Sequence, residues 1–244
     1  MKIVSLVPSL TELLIDLGLG GSVVGRTKFC IHPEDQVKAI PKVGGTKNVN
    51  VQKVLDLEPD LIIANKEENQ KEDIQALAVQ CKILLTEIAT YEEALEAILE
   101  IGKATNTEKR AIKINEEIQD QFEKLAPIES PKSVLYLIWQ KPYMTIGNDT
   151  FIHDMLRLCG YDNVVGDHTR YPTLTLEKIV DLSPDMIFLS SEPFPFKQKH
   201  IDELQSHLPN SKILLVDGEY FSWYGSRMKG APNYFCQVLW EANT

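Results

Sequence analysis

Residues able to do chemistry are thinly spread along this chain of 244 residues. The five histidines (His32, His153, His168, His200 and His207) form no i, i+4 pair and stand in no ligand spacing with cysteine, so no metal site is expected. Cys30, Cys81, Cys159 and Cys236 contain no C-x-x-C pair and read as small buried apolar residues. If any two of them pair, the expected couple is Cys159 and Cys236, both on predicted helices of the second half. No G-x-S-x-G, H-E-x-x-H or Walker loop occurs. Gly18-Leu19-Gly20-Gly21 lacks the third glycine of a dinucleotide fingerprint and reads as a helix stop. Without an acid–base constellation, no catalytic residue is assigned and an enzyme is not expected.

Aromatic residues carry the stronger signal. Phe29, Trp139, Tyr143, Tyr171, Tyr220, Phe221, Trp223 and Tyr224 all lie just after predicted strands or just before predicted helices. In parallel α/β sheets the loops at the strand carboxyl ends form the ligand crevice. Four aromatics within Glu219–Tyr224 cannot all share one core face. Such a lining suits a large, flat, partly apolar ligand held by contact area and stacking.

The elements that position these residues come from a duplication. V-Q-K-V-L-D-L-E-P-D-L-I-I-A at Val51–Ala64 is echoed by L-E-K-I-V-D-L-S-P-D-M-I-F-L at Leu176–Leu189, and K-I-L-L recurs at Lys82–Leu85 and Lys212–Leu215. Repetition at long period marks a duplicated structural unit. Between the copies, Thr107–Leu125 places Ala111, Ile114, Ile118, Phe122 and Leu125 on one stripe of a helix roughly 28 Å long. Thr105 and Glu108 read as its capping box, with Pro127 and Pro131 closing the far end. Short apolar runs alternating with helical patterns predict parallel sheets with crossover helices. The expected fold is therefore α/β. It has an N-terminal lobe at 1–104, a backbone helix at 105–127 and a C-terminal lobe at 128–244, with a cleft between the lobes.

Several boundaries are specific. Ser9 or Thr11 is expected to cap the first helix, and 28–43 to be loop. Val23–Gly25 and its counterpart Val164–Gly166 read as strands, and 229–242 as the last helix.

A net charge of −10 argues against nucleic acid or an anionic membrane as partner. No apolar run approaches the roughly 20 residues of a membrane span. Met1-Lys2 leads straight into an apolar strand rather than a secretory leader, the pattern of a cytoplasmic chain if Met1 is the native start.

S-L-V-P-S-L-T-E-L-L (Ser5–Leu14), V-G-G-T-K-N (Val43–Asn48), L-E-P-D-L-I-I-A and L-S-P-D-M-I-F-L together resemble the helical-backbone substrate-binding proteins of ABC importers, over essentially the whole chain. These serve importers of vitamin B12 and ferric siderophores, and the opening motif is most similar to the vitamin B12 binders. The resemblance implies an extracytoplasmic monomer that captures a corrinoid between its lobes and hands it to a permease. A ferric siderophore or haem binder, and a cytoplasmic chelatase-like relative, are the alternatives. No cofactor is implied; the ligand itself would be a metal complex such as cobalamin.

Carried over by position, Phe29 stands for a tyrosine contact, Tyr171 for a tryptophan, and Glu219–Trp223 for the C-lobe ligand loop. The implied ligand set is Phe29, Thr46, Lys47, Trp139, Tyr171, Glu219, Tyr220, Phe221, Ser222 and Trp223, with Lys47 or Arg227 at the polar rim. Thr46 replaces a contacting tryptophan, so that wall is smaller and more polar. The permease-docking glutamates fall on Glu177, which fits, and on Gln52, which is neutral; Glu67 or Glu68 would be the substitute. A missing carboxylate removes one charge-assisted pair from such an interface.

Overall fold

The computed structural model describes residues 1–126 and 130–243, with side chains to Val238. Strands and helices alternate in the order β1 (Ile3–Ser5), α1 (Pro8–Asp16), β2 (Val23–Arg26), α2 (Glu34–Val37), α3 (Val51–Leu55), β3 (Leu61–Asn65), α4 (Lys71–Ala78), β4 (Ile83–Thr86), α5 (Tyr91–Ala104) and α6 (Glu108–Phe122). There follow β5 (Lys132–Leu137), β6 (Tyr143–Met144), α7 (Phe151–Leu158), β7 (Tyr161–Asn163), β8 (Thr173–Leu174), α8 (Leu176–Leu182), β9 (Met186–Ser190), α9 (Gln198–Gln205), β10 (Lys212–Val216), α10 (Gly218–Ser222) and α11 (Ala231–Asn243).

The chain forms two compact units. One holds Met1–Ile88, Glu92–Ile118 and the returning segment Tyr224–Lys229; the other holds Ala89–Tyr91, Gln119–Trp223 and the residues from Gly230 on. In the first, β2-β1-β3-β4 form a wholly parallel sheet. In the second, β7-β5-β9-β10 form a parallel sheet of the same order, and β6 and β8 make a separate antiparallel pair. Central strands β3 and β9 are buried along their whole length, as near-continuous apolar runs in parallel sheets require.

The repeated L-x-P-D has a local cause in each unit. Glu58 and Ser183 turn the chain out of α3 and α8 at φ 47° and 44°. The prolines that follow cannot continue a helix. Asp60 then accepts the backbone N–H of Lys2 at 2.6 Å, and Asp185 that of Ser133 at 2.9 Å. One carboxylate thus ties the start of β3 to that of β1, and the other ties β9 to β5.

Several expectations are corrected. α1 begins at Pro8 with Val7 as its N-cap and no side-chain cap. Thr11 instead sits inside the helix and donates to the Val7 carbonyl at 2.8 Å. Thr105 closes α5, its hydroxyl donating to the Ile101 carbonyl at 2.7 Å, and the long helix starts at Glu108 and ends at Phe122. Pro127 lies outside the described residues. The segment 28–43 contains the short helix α2. Val164–Gly166 is a turn; the strand beside β5 is Tyr161–Asn163.

Candidate functional site

In the first unit the opening motif builds a buried polar knot beneath the loops at the strand carboxyl ends. Thr11 Oγ1 and Ser5 Oγ lie 2.8 Å apart, and Ser5 Oγ donates to the Val7 carbonyl at 3.2 Å. From β2, the guanidinium of Arg26 donates to the carbonyls of Val37 (2.7 Å), Cys30 (2.9 Å) and Thr27 (3.1 Å), folding the β2–α2 segment around itself. Cys30 lies 3.1 Å from the Thr27 hydroxyl, and burial raises its thiol pKa. Out of this rigid base projects Phe29, 50% exposed, with Lys28 Nζ 4.9 Å from its ring centre. A Cβ on Gly45 would stand 3.4 Å from the Phe29 ring, so the 44–47 turn and Phe29 are packed together.

Thr46 itself is buried, and Lys47 donates to the Glu67 carbonyl. Asn69 bridges two of these loops, donating to the carbonyls of Leu6 (3.2 Å) and Thr46 (3.1 Å). Asn65 accepts the backbone N–H groups of Glu67 and Glu68. Sequence patterning shows only a polar turn here, because neither asparagine belongs to a motif. At the start of α3, Gln52 is exposed and donates to Asp56 at 2.7 Å.

In the second unit Trp139 is 41% exposed and leans edge-on against Phe194 at 5.5 Å, and Tyr171 is 37% exposed with Arg170 at 6.0 Å. The segment expected to be a ligand loop is in fact the helix α10, capped by Asp217. Helical spacing splits its residues between core and surface. Phe221, expected among the ligand contacts, is fully buried against Tyr136, Phe188 and Phe235, with ring centres 4.6–6.1 Å apart, and packs as a core residue. Tyr220 stacks on Tyr234 at 4.6 Å, and Glu219 is half-buried.

Trp223 is buried, and its Nε1–H donates to Glu192 at 2.9 Å; the Ser222 hydroxyl donates to the same oxygen at 2.8 Å. Glu192 was not singled out in the sequence, because the two bonds span 30 and 31 residues. Burial, ahead of its acidic neighbours, pushes its carboxyl pKa up. At the start of α8, Glu177 is exposed, and its own backbone N–H followed by the Thr175 hydroxyl holds its carboxyl below the usual carboxylate range.

Arg227, expected at a polar rim, is engaged in a two-pronged ion pair. Its Nε and Nη2 bond both oxygens of Glu12 at 2.9 and 2.8 Å within the first unit. The Cys159–Cys236 pairing is not formed: all four cysteines are free thiols. Among the described residues no three acidic, histidine or cysteine side chains cluster as a metal site would need, and no helix is long and apolar enough to cross a membrane. Surface hollows of about 400 and 300 Å³ lie at Leu17–Leu19 with Asn106–Arg110, and at Gln140–Tyr143 with Leu174–Leu176. Neither is lined by a residue of the expected ligand set.

The chain is similar to several substrate-binding proteins. It is 36% identical over 199 residues to the uncharacterized ABC transporter substrate-binding lipoprotein YvrC of Bacillus subtilis, covering 76% of this chain and 62% of that protein's length. It is 29% identical over 201 residues to the vitamin B12-binding protein of Vibrio cholerae, covering 78% of this chain and 70% of the relative. The solved structure of periplasmic vitamin B12 binding protein BtuF of Vibrio cholerae superposes with a TM-score of 0.84 at 23% identity, covering 100% of this chain and 98% of the other. The periplasmic haem-binding protein RhuT of Roseiflexus sp. RS-1 gives 0.87 at 20% identity over 100% and 99% of the two chains. Both likenesses establish the α/β fold with its paired parallel sheets. Residues 3–212 match the family described as periplasmic binding protein, and the chain belongs to that family of non-enzymatic substrate-binding proteins.

Proposed function

We propose that this protein captures a corrinoid for an ABC importer. The observation that carries the reading is the set of uncovered aromatic side chains on loops at strand ends. Phe29 in one unit, with Trp139 and Tyr171 in the other, are 50%, 41% and 37% exposed, while Phe29 packs on the 44–47 turn and Trp139 on Phe194. Exposed aromatics held in place are what a broad, partly apolar ligand requires. Thr46, Lys47, Glu219, Tyr220, Ser222 and Trp223 complete the proposed contact set. The 29% identity to a vitamin B12 binder favours cobalamin as the ligand class.

The likeness to a haem-binding protein supports a second reading, in which haem or a ferric chelate is the ligand. Docking on the permease is assigned to Glu177, with Gln52 as its neutral counterpart, on an extracytoplasmic monomer. Titration of intrinsic tryptophan fluorescence with cyanocobalamin, haemin and a ferric siderophore, with inner-filter controls, tests the proposal. Saturable quenching by cyanocobalamin at micromolar concentration or below is expected. Quenching by haemin or the siderophore alone transfers the assignment to that ligand.

A further inference from the structure

We propose that Glu192 selects for a ligand whose rim is neutral and donates hydrogen bonds, and against one whose rim carries carboxylates. The inference rests on the ligand-binding reading above. Glu192 follows the end of β9, where the Ser190 hydroxyl donates to the Glu192 carbonyl at 2.6 Å and accepts its backbone N–H at 3.3 Å. The opposite wall is Gly218: a Cβ there would stand 2.2 Å from Ser190 Oγ and 2.9 Å from Glu192 Cγ. Only glycine allows α10 to approach this closely, and the carboxylate is gripped between the two strand ends.

Its two oxygens have different roles. Oε1 accepts both the Ser222 hydroxyl and the Trp223 indole N–H, fixing the candidate contact residues at the end of α10. Oε2 makes no hydrogen bond with any described residue. The ionisable groups acting on Glu192 are Glu219 and Asp217, both acidic, and no described lysine or arginine forms an ion pair with it. Half-buried and without a cation, the carboxylate satisfies its second oxygen with an N–H or O–H donor from a ligand. A carboxylate on the ligand would meet like charge in a poorly solvated place. Corrinoid rims carry amides and haem carries carboxylates, so Glu192 favours the former.

The test compares cyanocobalamin and haemin by calorimetric titration of the wild type, Glu192→Gln and Glu192→Leu, with circular dichroism to check folding. Wild type should prefer cyanocobalamin. Glu192→Gln keeps an oxygen for Ser222 and Trp223 but loses the charge, so haemin affinity should rise about tenfold relative to cyanocobalamin. Glu192→Leu removes the acceptor as well and should weaken both ligands. A purely structural role would not move the ratio in Glu192→Gln. If that ratio is unchanged while wild type still binds cyanocobalamin, the selectivity inference fails and the binding reading stands. If wild type binds neither probe, both fail.

Discussion

The ion pair between Glu12 and Arg227 joins residues 215 apart, and its removal should be felt throughout the first unit. Both side chains are largely shielded, with 14% and 18% exposure, and the geometry is two-pronged at 2.8 and 2.9 Å. At an effective dielectric near 20, charges 2.8 Å apart attract by about 6 kcal/mol before desolvation and side-chain entropy are subtracted. Cutting one partner leaves the other charge half-buried and uncompensated, so Arg227→Met alone should cost about 3 kcal/mol. Replacing both, as Glu12→Leu with Arg227→Met, restores compatibility and should return most of that loss. The coupling energy from the cycle should be about 2 kcal/mol. Urea unfolding of the four proteins, followed by circular dichroism at constant pH and salt, measures it. A coupling below about 0.5 kcal/mol is what an ordinary surface pair gives, and would refute the claim that this pair clamps Tyr224–Lys229 onto α1.

Phe221→Ala should destabilise the protein by about 4 kcal/mol, because it empties the aromatic core under α10. Phe29→Ala should change stability by less than about 0.5 kcal/mol while weakening ligand binding; urea midpoints and quenching titrations separate the two behaviours. For Glu192, the folded carboxyl pKa is raised, so between the ordinary carboxylate range and the raised value the folded state holds more protons than the unfolded state. Stability from this group therefore falls as pH rises through that window. Glu192→Gln should be the more stable protein near about pH 8, with its advantage gone near about pH 4, and a gap independent of pH in urea midpoints would contradict the assignment. Gly18→Ala should cost about 1–2 kcal/mol, since φ is +80° and the added Cβ would displace Arg110 from the Leu17 carbonyl. Thermal unfolding of the variant reads this directly.

Local order was legible in the chain wherever a short pattern has one physical solution. The apolar runs of β3 and β9, the stripe of α6, and the repeated P-D that ends a helix and pins the next strand each follow from spacing alone. The repeat also announced two similar sheets, because identical local sequence builds the same crossover twice. Patterning failed where one composition admits two geometries. V-V-G makes strand β2 at Val23–Gly25 but a turn at Val164–Gly166, because β5 pairs instead with Tyr161–Asn163.

The aromatic run Glu219–Tyr224 stood out in the sequence, but patterning could not sort its side chains between core and surface. A helix turns Phe221 inward, while only contacts made across the unit show Trp223 and Ser222 bound to Glu192. The sequence alone therefore determined the duplicated α/β plan and the resemblance to non-enzymatic substrate-binding proteins. Only the tertiary structure decided which side chains remain available, since availability depends on partners 30 to 215 residues away along the chain.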